Sequence, residues 1–143
     1  MSKDIEELIP HRAPFLFVDE ITSFTTDEIT AVYTFHKTEV MLKGNFPGFN
    51  FVPGTILIES MAQAGGAGVR LLGVTDGIFA LVQIESAQFF KGLSFGETIT
   101  YVIKNIRLSE KIIKQSGKGY AADGVVFEAS WMSIKIDEKQ MAR

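Results

Sequence analysis

The chain has 143 residues, 46% of them apolar and 22% charged, with a net charge of −3. That suffices for one domain with a real core, spanning 1–143, and the acidic balance argues against nucleic acid as a partner. No cysteine occurs, which excludes disulfides, thiolate nucleophiles and cysteine zinc sites and fits a reducing, cytoplasmic setting.

Met1 to Glu7 is too acidic and too interrupted for a secretion signal. Residues 4–8 predict a short helix or turn ending at Pro10. Phe15 to Phe24, rich in aromatic and β-branched residues, predicts a strand. The polar turn Thr25-Thr26-Asp27-Glu28 leads into Ile29 to Phe35, which alternates as the returning strand. Residues 37–52 predict a long irregular loop containing Gly44, Pro47 and Gly48, with Pro53 just beyond. Residues 54–72 predict the one long helix, closed by Gly73. Glu59, Gln63 and Arg70 interrupt its apolar run, so a buried helix fits better than a membrane span. It is apolar nearly all round and carries small residues from Ala62 to Gly68, so it is expected to be wrapped rather than packed on one face.

Only strand signals follow: Ile78–Phe90, Glu97–Leu108, Ile112–Ala121 and Val125–Ile136. Turn chemistry separates them at Gly92, Gly96, Ser109-Glu110-Lys111 and Asp123-Gly124. Asp137 to Arg143 reads as a charged, frayed tail. The pattern is a strand pair, a central helix and a run of antiparallel strands, which is an α+β arrangement with one sheet curling around one helix.

Glu59 is the first candidate for chemistry. A carboxylate among Ile56, Leu57, Ile58, Met61 and Ala62 is expensive to bury and needs a partner or a task. Gln63 lies one helical turn on and can orient that carboxylate or a ligand, with structural support of the helix as the alternative. Pro53 and Gly54 open the helix, where free N–H groups form a natural site for an oxyanion or carbonyl oxygen, or simply a turn that starts a helix. Gly48 serves loop geometry. Phe46, Phe49, Phe51, Phe89, Phe90 and Phe95 are candidates for lining an apolar tunnel, with core packing the safer assumption for any one of them. The only two histidines are His11 and His36. His11 is read as ordering its loop, and His36 as a surface residue ending the second strand.

The stretch Gly44-Asn45-Phe46-Pro47-Gly48, followed by Val52-Pro53-Gly54-Thr55-Ile56-Leu57-Ile58-Glu59-Ser60-Met61-Ala62-Gln63-Ala64, resembles the signature of the 3-hydroxyacyl-acyl-carrier-protein dehydratases (FabZ type, hotdog fold). Ile9-Pro10-His11-Arg12-Ala13-Pro14-Phe15-Leu16-Phe17-Val18-Asp19, Ile84 to Lys91 and the closing hairpin around Asp123-Gly124 extend the resemblance over nearly the whole chain. It implies a hotdog fold, no cofactor or metal, and thioesters on acyl carrier protein or CoA as ligands. It also implies active sites at a dimer interface, in a homodimer or a trimer of dimers. Arg12, Lys91, Lys104, Arg107, Lys111, Lys114 and Lys118 become candidate contacts for an acidic carrier protein.

In that family a catalytic His stands where this chain has Asn45, and Glu59 matches the Glu that serves as acid or water-holder toward the leaving hydroxyl. The implied catalytic pair is therefore Glu59 and Asn45, with Gly48, Pro53, Gly54, Gln63, Phe46 and Phe90 around the substrate. Asn50-Phe51 and Gln88 also depart from the family pattern. An amide does not titrate near neutral pH, so Asn45 cannot act as a general base; it can hydrogen-bond a thioester carbonyl. Three outcomes stay open at this point. They are a dehydratase of weak or altered activity, a thioesterase in which Glu59 activates water, and a non-catalytic subunit lending Glu59 to a His-bearing paralogue.

Overall fold

The computed structural model describes residues 4–44 and 48–137. They form a short helix α1 (Ile5–Leu8), a long helix α2 (Gly54–Leu72) and six strands: β1 (Glu20–Phe24), β2 (Glu28–Thr34), β3 (Ile78–Phe89), β4 (Thr98–Leu108), β5 (Ile112–Ala121) and β6 (Gly124–Ile136). A single 3-10 turn, Val40–Leu42, interrupts the loop before α2. The strands make one antiparallel sheet in the order β1-β2-β4-β5-β6-β3. No helix among the described residues is long and apolar enough to cross a membrane.

Alternation builds the concave face. Ile29, Ala31 and Tyr33 of β2 point inward with Ile99, Tyr101 and Ile103 of β4, Ile113 of β5, and Phe127, Ala129 and Trp131 of β6. Leu57, Ile58, Met61, Ala64, Ala67 and Val69 of α2 fill the space they enclose. Burying Leu57 or Met61 contributes about 1.5–3 kcal/mol each. The helix stops at Gly73, whose φ of 76° is left-handed and whose N–H bonds the Arg70 carbonyl.

The small residues of α2 have a specific use. A Cβ on Gly68 would lie 2.6 Å from the Ile29 side chain, and one on Gly65 would run into Gln115. From the sheet side, a Cβ on Gly117 would meet Met61 Sδ at 2.9 Å. The close approach that the small-residue run anticipates is thus made by the chain's own sheet. Only Gly66 is open, with nothing nearer its Cβ position than Ile9 Cγ2 at 3.9 Å.

Helix α2 has the bounds the sequence predicts, and β5 does too. The first strand is shorter than expected: regular pairing begins at Glu20, not Phe15. Asp19 already bonds β2, its N–H donating to Val32 O, but Phe15 and Phe17 turn backbone groups to α2 instead of a second strand. Phe17 N–H donates to Gln63 Oε1 at 2.8 Å, and Phe17 O accepts from Ser60 Oγ at 2.6 Å. Side chains on the helix have taken the place of a strand neighbour.

At the other end of the sheet, β3 has β6 on one side and, among the described residues, no strand on the other. Leu81, Val82, Ile84, Phe89 and Phe90 lie exposed along and just beyond it. A long edge with open backbone groups and apolar side chains is a template for pairing with another chain.

Candidate active site

Glu59 sits on the side of α2 that the sheet leaves open. Its side chain is 24% exposed, so it is less enclosed than its apolar flanks suggest. Gln63, one turn later, is 2% exposed and holds it in place. Gln63 Nε2 donates to Glu59 Oε2 at 2.8 Å and to Phe15 O at 3.1 Å, while Gln63 Oε1 accepts from Phe17 N–H. The amide therefore cannot rotate without breaking bonds to both the 15–17 segment and the carboxylate. One side chain thus bonds both the 15–17 segment and the Glu59 carboxylate.

The structure adds a residue that sequence reasoning did not assign to the site. His11 Nε2 lies 3.6 Å from Glu59 Oε2. The ring stacks on Phe15, with centroids 6.5 Å apart and an interplanar angle of 22°, which agrees with loop ordering. Its Nδ1 is buried with no hydrogen-bond partner among the described residues. Burial pushes the His11 pKa below 6.5; Glu59 acts in the opposite direction, and neighbouring Arg12 adds a smaller lowering. The imidazole is consequently held toward its neutral form. The Pro10-His11-Arg12 segment was the available signal, but nothing local in it shows that residue 11 meets residue 59.

These groups line a cavity of about 280 Å³ between α1, α2 and the sheet. Its walls are mainly apolar, with Leu8, Ile9, Ala62, Ile78, Phe79 and Ile113 among them, and Gly66 leaves room on the helix. Its polar groups are His11, Glu59 and Gln63 together, Arg70 two to three turns further along α2, and Gln115 and Ser133 from the sheet. Arg70 donates to the Leu8 and Gly77 carbonyls, both at 3.4 Å.

The other expected site residues fall in three places. Pro53, Gly54 and Phe90 line a second depression, about 570 Å³, at the start of α2. Phe49, Phe51 and Phe89 share it, whereas Phe95 packs against the main core. Gly54 has the Phe89 ring directly over it, 2.8 Å from where a Cβ would be, so only glycine fits there with that ring in place. Gly48 has a φ of 77° and sits in an open turn, the left-handed geometry that favours glycine. Asn45 and Phe46 lie outside the described residues. His36 is exposed, as expected, and its backbone N–H bonds Glu39 Oε2 at 2.7 Å.

Thus the chain brings Glu59, Gln63 and His11 together and keeps Pro53, Gly54 and Phe90 apart from them. Gly54 and Glu59 are separated by about 7.5 Å of helix rise. A carboxylate, an imidazole and a fixed amide beside an apolar cavity make a site for proton transfer on a largely apolar ligand.

Comparison with known proteins shows the family of the chain. Residues 3–77 match the family model described as ApeP-like, ApeP dehydratase. The 3-hydroxyacyl-[acyl-carrier-protein] dehydratase FabZ of Solibacter usitatus is 32% identical over 139 residues, covering 96% of this chain and 85% of that protein. FabZ of Fusobacterium nucleatum is 34% identical over 94% of this chain and 96% of that protein. Among solved structures, a chain of the dehydratase heterocomplex ApeI:P from Xenorhabdus doucetiae superposes with a TM-score of 0.84. The two are 16% identical, over 99% of this chain and 97% of that one. A hypothetical thioesterase protein with coenzyme A from Streptococcus pneumoniae gives 0.64 at 16% identity, over 82% of this chain and 84% of that one, and so shows the fold alone. The sheet wrapped around one helix is the hotdog fold, and the chain belongs to the FabZ-like, ApeP-like family of hotdog dehydratases.

Proposed function

We propose that this protein binds 3-hydroxyacyl thioesters carried on acyl carrier protein or CoA, and that Glu59 is the group that acts on the leaving C3 hydroxyl. The observation that carries this reading is the Glu59 carboxylate, fixed by Gln63 against the wall of an apolar cavity. In this reading the acyl chain lies in the cavity, Gln63 fixes the carboxyl group, and the thioester end lies toward the start of α2. There, the N–H groups of Gly54 and Thr55 precede the first intrahelical bonds, which run from Ile56 and Leu57 to Pro53 O. Pro53, Gly48 and Phe90 shape that end, and the family resemblance adds Asn45 and Phe46 to the residues that act on the substrate. The two FabZ relatives named above are dehydratases, which favours elimination of water over thioester hydrolysis.

The working unit in this reading is a cytoplasmic homodimer or a trimer of dimers. The exposed apolar edge of β3 supports an oligomer, because an open twelve-residue strand is a pairing surface. With Asn45 at the family's histidine position, a C2 base has to come from elsewhere, and turnover is weaker than with that histidine in place: loss of a positioned general base costs about 10²–10⁴ in rate.

The deciding measurement is binding and turnover of a 3-hydroxyacyl thioester by the purified oligomer and by Glu59→Gln. Binding by both, with turnover lost in the variant, is the expected result. Dehydration that survives Glu59→Gln, or free-acid release as the main product, overturns the reading.

A further inference from the structure

Dehydration of a 3-hydroxyacyl thioester requires removal of a C2 proton, and Asn45 carries no group that titrates near neutral pH. On the dehydratase reading above, a base must therefore come from elsewhere. His36 is exposed at the end of β2 and is not among the cavity-lining residues. His11 shares the cavity wall with Glu59 and Gln63 and stands 3.6 Å from the Glu59 carboxylate. We propose that His11 and Glu59 form a proton-transfer pair within one chain, in which His11 is the base for the C2 proton.

Three features of the geometry support this. The ring is fixed by stacking on Phe15, and its Nδ1 is enclosed, so Nε2 is the nitrogen directed at the carboxylate. Gln63 Nε2 holds the same oxygen, Glu59 Oε2, from the other side and stops it swinging away. Oε1 of Glu59 makes no hydrogen bond among the described residues and is free for a ligand. The charged and titratable groups facing His11 are few. Glu59 comes from α2, Arg12 is its chain neighbour, and Arg70 lies further along the cavity. The sheet contributes only neutral groups to the cavity wall, namely Gly77 to Leu81, Ile113, Gln115, Ser133 and Ile136. Burial keeps the imidazole toward the neutral form a base must have.

The step balances as follows. Neutral His11 takes the C2 proton at Nε2, and the C2–H electron pair becomes the C2=C3 π bond. The C3–O bond breaks as the imidazolium passes that proton, by way of the Glu59 carboxylate, to the departing oxygen, which leaves as water. His11 is then neutral and Glu59 a carboxylate again, so the substrate has lost water and the protein is unchanged.

Deuterium uptake at C2 of butyryl-pantetheine in heavy water tests the base alone, because this thioester has no hydroxyl to lose. The purified oligomer is expected to catalyse uptake, with a rate that falls on acidification through a pKa below 6.5. His11→Gln is expected to bind the thioester, to lower uptake by about 10²-fold or more, and to abolish that acid limb. The chain has only two histidines, so His36→Gln assigns both imidazole signals in a magnetic-resonance titration of the intact protein. The His11 titration and the acid limb must coincide, which tests the proposal even if His11→Gln fails to fold. Undiminished uptake in a folded His11→Gln, binding without uptake in the parent protein, or a limb that does not follow His11 each overturn the inference and leave thioester binding standing. Failure of the parent protein to bind the thioester overturns the functional reading itself, and this inference with it.

Discussion

Glu59 and Ser60 are successive residues of α2, about 100° apart around the helix, and each belongs to a polar cluster. Ser60 is fully buried: Tyr101 OH donates to Ser60 Oγ at 2.7 Å, and Ser60 Oγ donates to Phe17 O at 2.6 Å. Every polar atom in that cluster has a partner. Glu59 faces the cavity, 3.6 Å from an imidazole whose other nitrogen has no partner among the described residues. Gln63 links the two clusters, because it holds Phe17 N–H, Phe15 O and Glu59 together. A satisfied buried network holds segment 15–17 on the helix. A partly satisfied one beside a cavity keeps groups available for a ligand. If this division is correct, substitutions in the two clusters separate activity from stability.

Glu59→Gln has the largest expected effect. Turnover should fall by about 10²–10⁴, equivalent to roughly 3–5 kcal/mol of transition-state stabilisation, with little change in melting temperature. Steady-state rates and thermal unfolding on the same sample check it. A variant that unfolds early while keeping its specific activity would erase the distinction between the clusters.

Asn45→His comes next. A histidine there restores the family's base between Gly44 and Phe46 of the sequence motif. A gain of about 10²-fold in dehydration, near 2.7 kcal/mol, is the expected size. No gain in a protein that stays folded and oligomeric and still binds thioester would show that Asn50, Phe51 and Gln88 have reshaped the site. Co-purification of a second hotdog chain that carries the histidine would instead identify what completes the site in the cell.

The architecture was legible in the sequence wherever local chemistry decides the outcome. Pro53 and Gly73 bracket α2, and alternation in β4 and β6 marks the inward faces. Residues 15–19 misled because aromatic residues favour strands, while the actual partners of Phe17 are side chains 43 and 46 positions away. The site was half legible for the same reason. Glu59 and Gln63 are one turn apart and must meet, so helical spacing alone relates them. His11 and Glu59 are brought together only by the way the N-terminal segment crosses α2, and no local pattern encodes that crossing. The separation of Gly54 from Glu59 follows from five residues of helix, whereas the position of Phe90 beside Pro53 and Gly54 depends on how the sheet crosses the start of α2.

Ser60→Ala probes the closed cluster. It leaves the Tyr101 hydroxyl and the Phe17 carbonyl without their partner in a fully buried place, which costs about 1–3 kcal/mol. Unfolding in denaturant should move to lower concentration, with residual activity per folded molecule preserved. Tyr101→Phe should cost less, about 0.5–1.5 kcal/mol, because Ser60 keeps its bond to Phe17 O. Equal costs for the two would mean that the chain of bonds acts as one unit.

Acidification has the smallest expected effect and discriminates between the clusters by sign and window. The folded-state pKa of His11 lies below 6.5 because burial disfavours its charged form, whereas the unfolded value is near 6.5. Between those two values the unfolded chain binds more protons, so stability rises with pH and is lost as pH falls from 6.5 through the folded value. Above 6.5 the contribution is complete. The closed cluster is silent in this window, since burial pushes the Tyr101 pKa further above its usual value of 10. Melting temperatures measured from pH 7.5 downward should therefore decline less steeply for His11→Gln than for the parent protein, and only below about pH 6.5. Ser60→Ala should run parallel to the parent throughout. A His11→Gln curve that diverges above pH 6.5, or a Ser60→Ala curve that changes slope below it, would mean that Gln63 couples the two clusters into one titrating network.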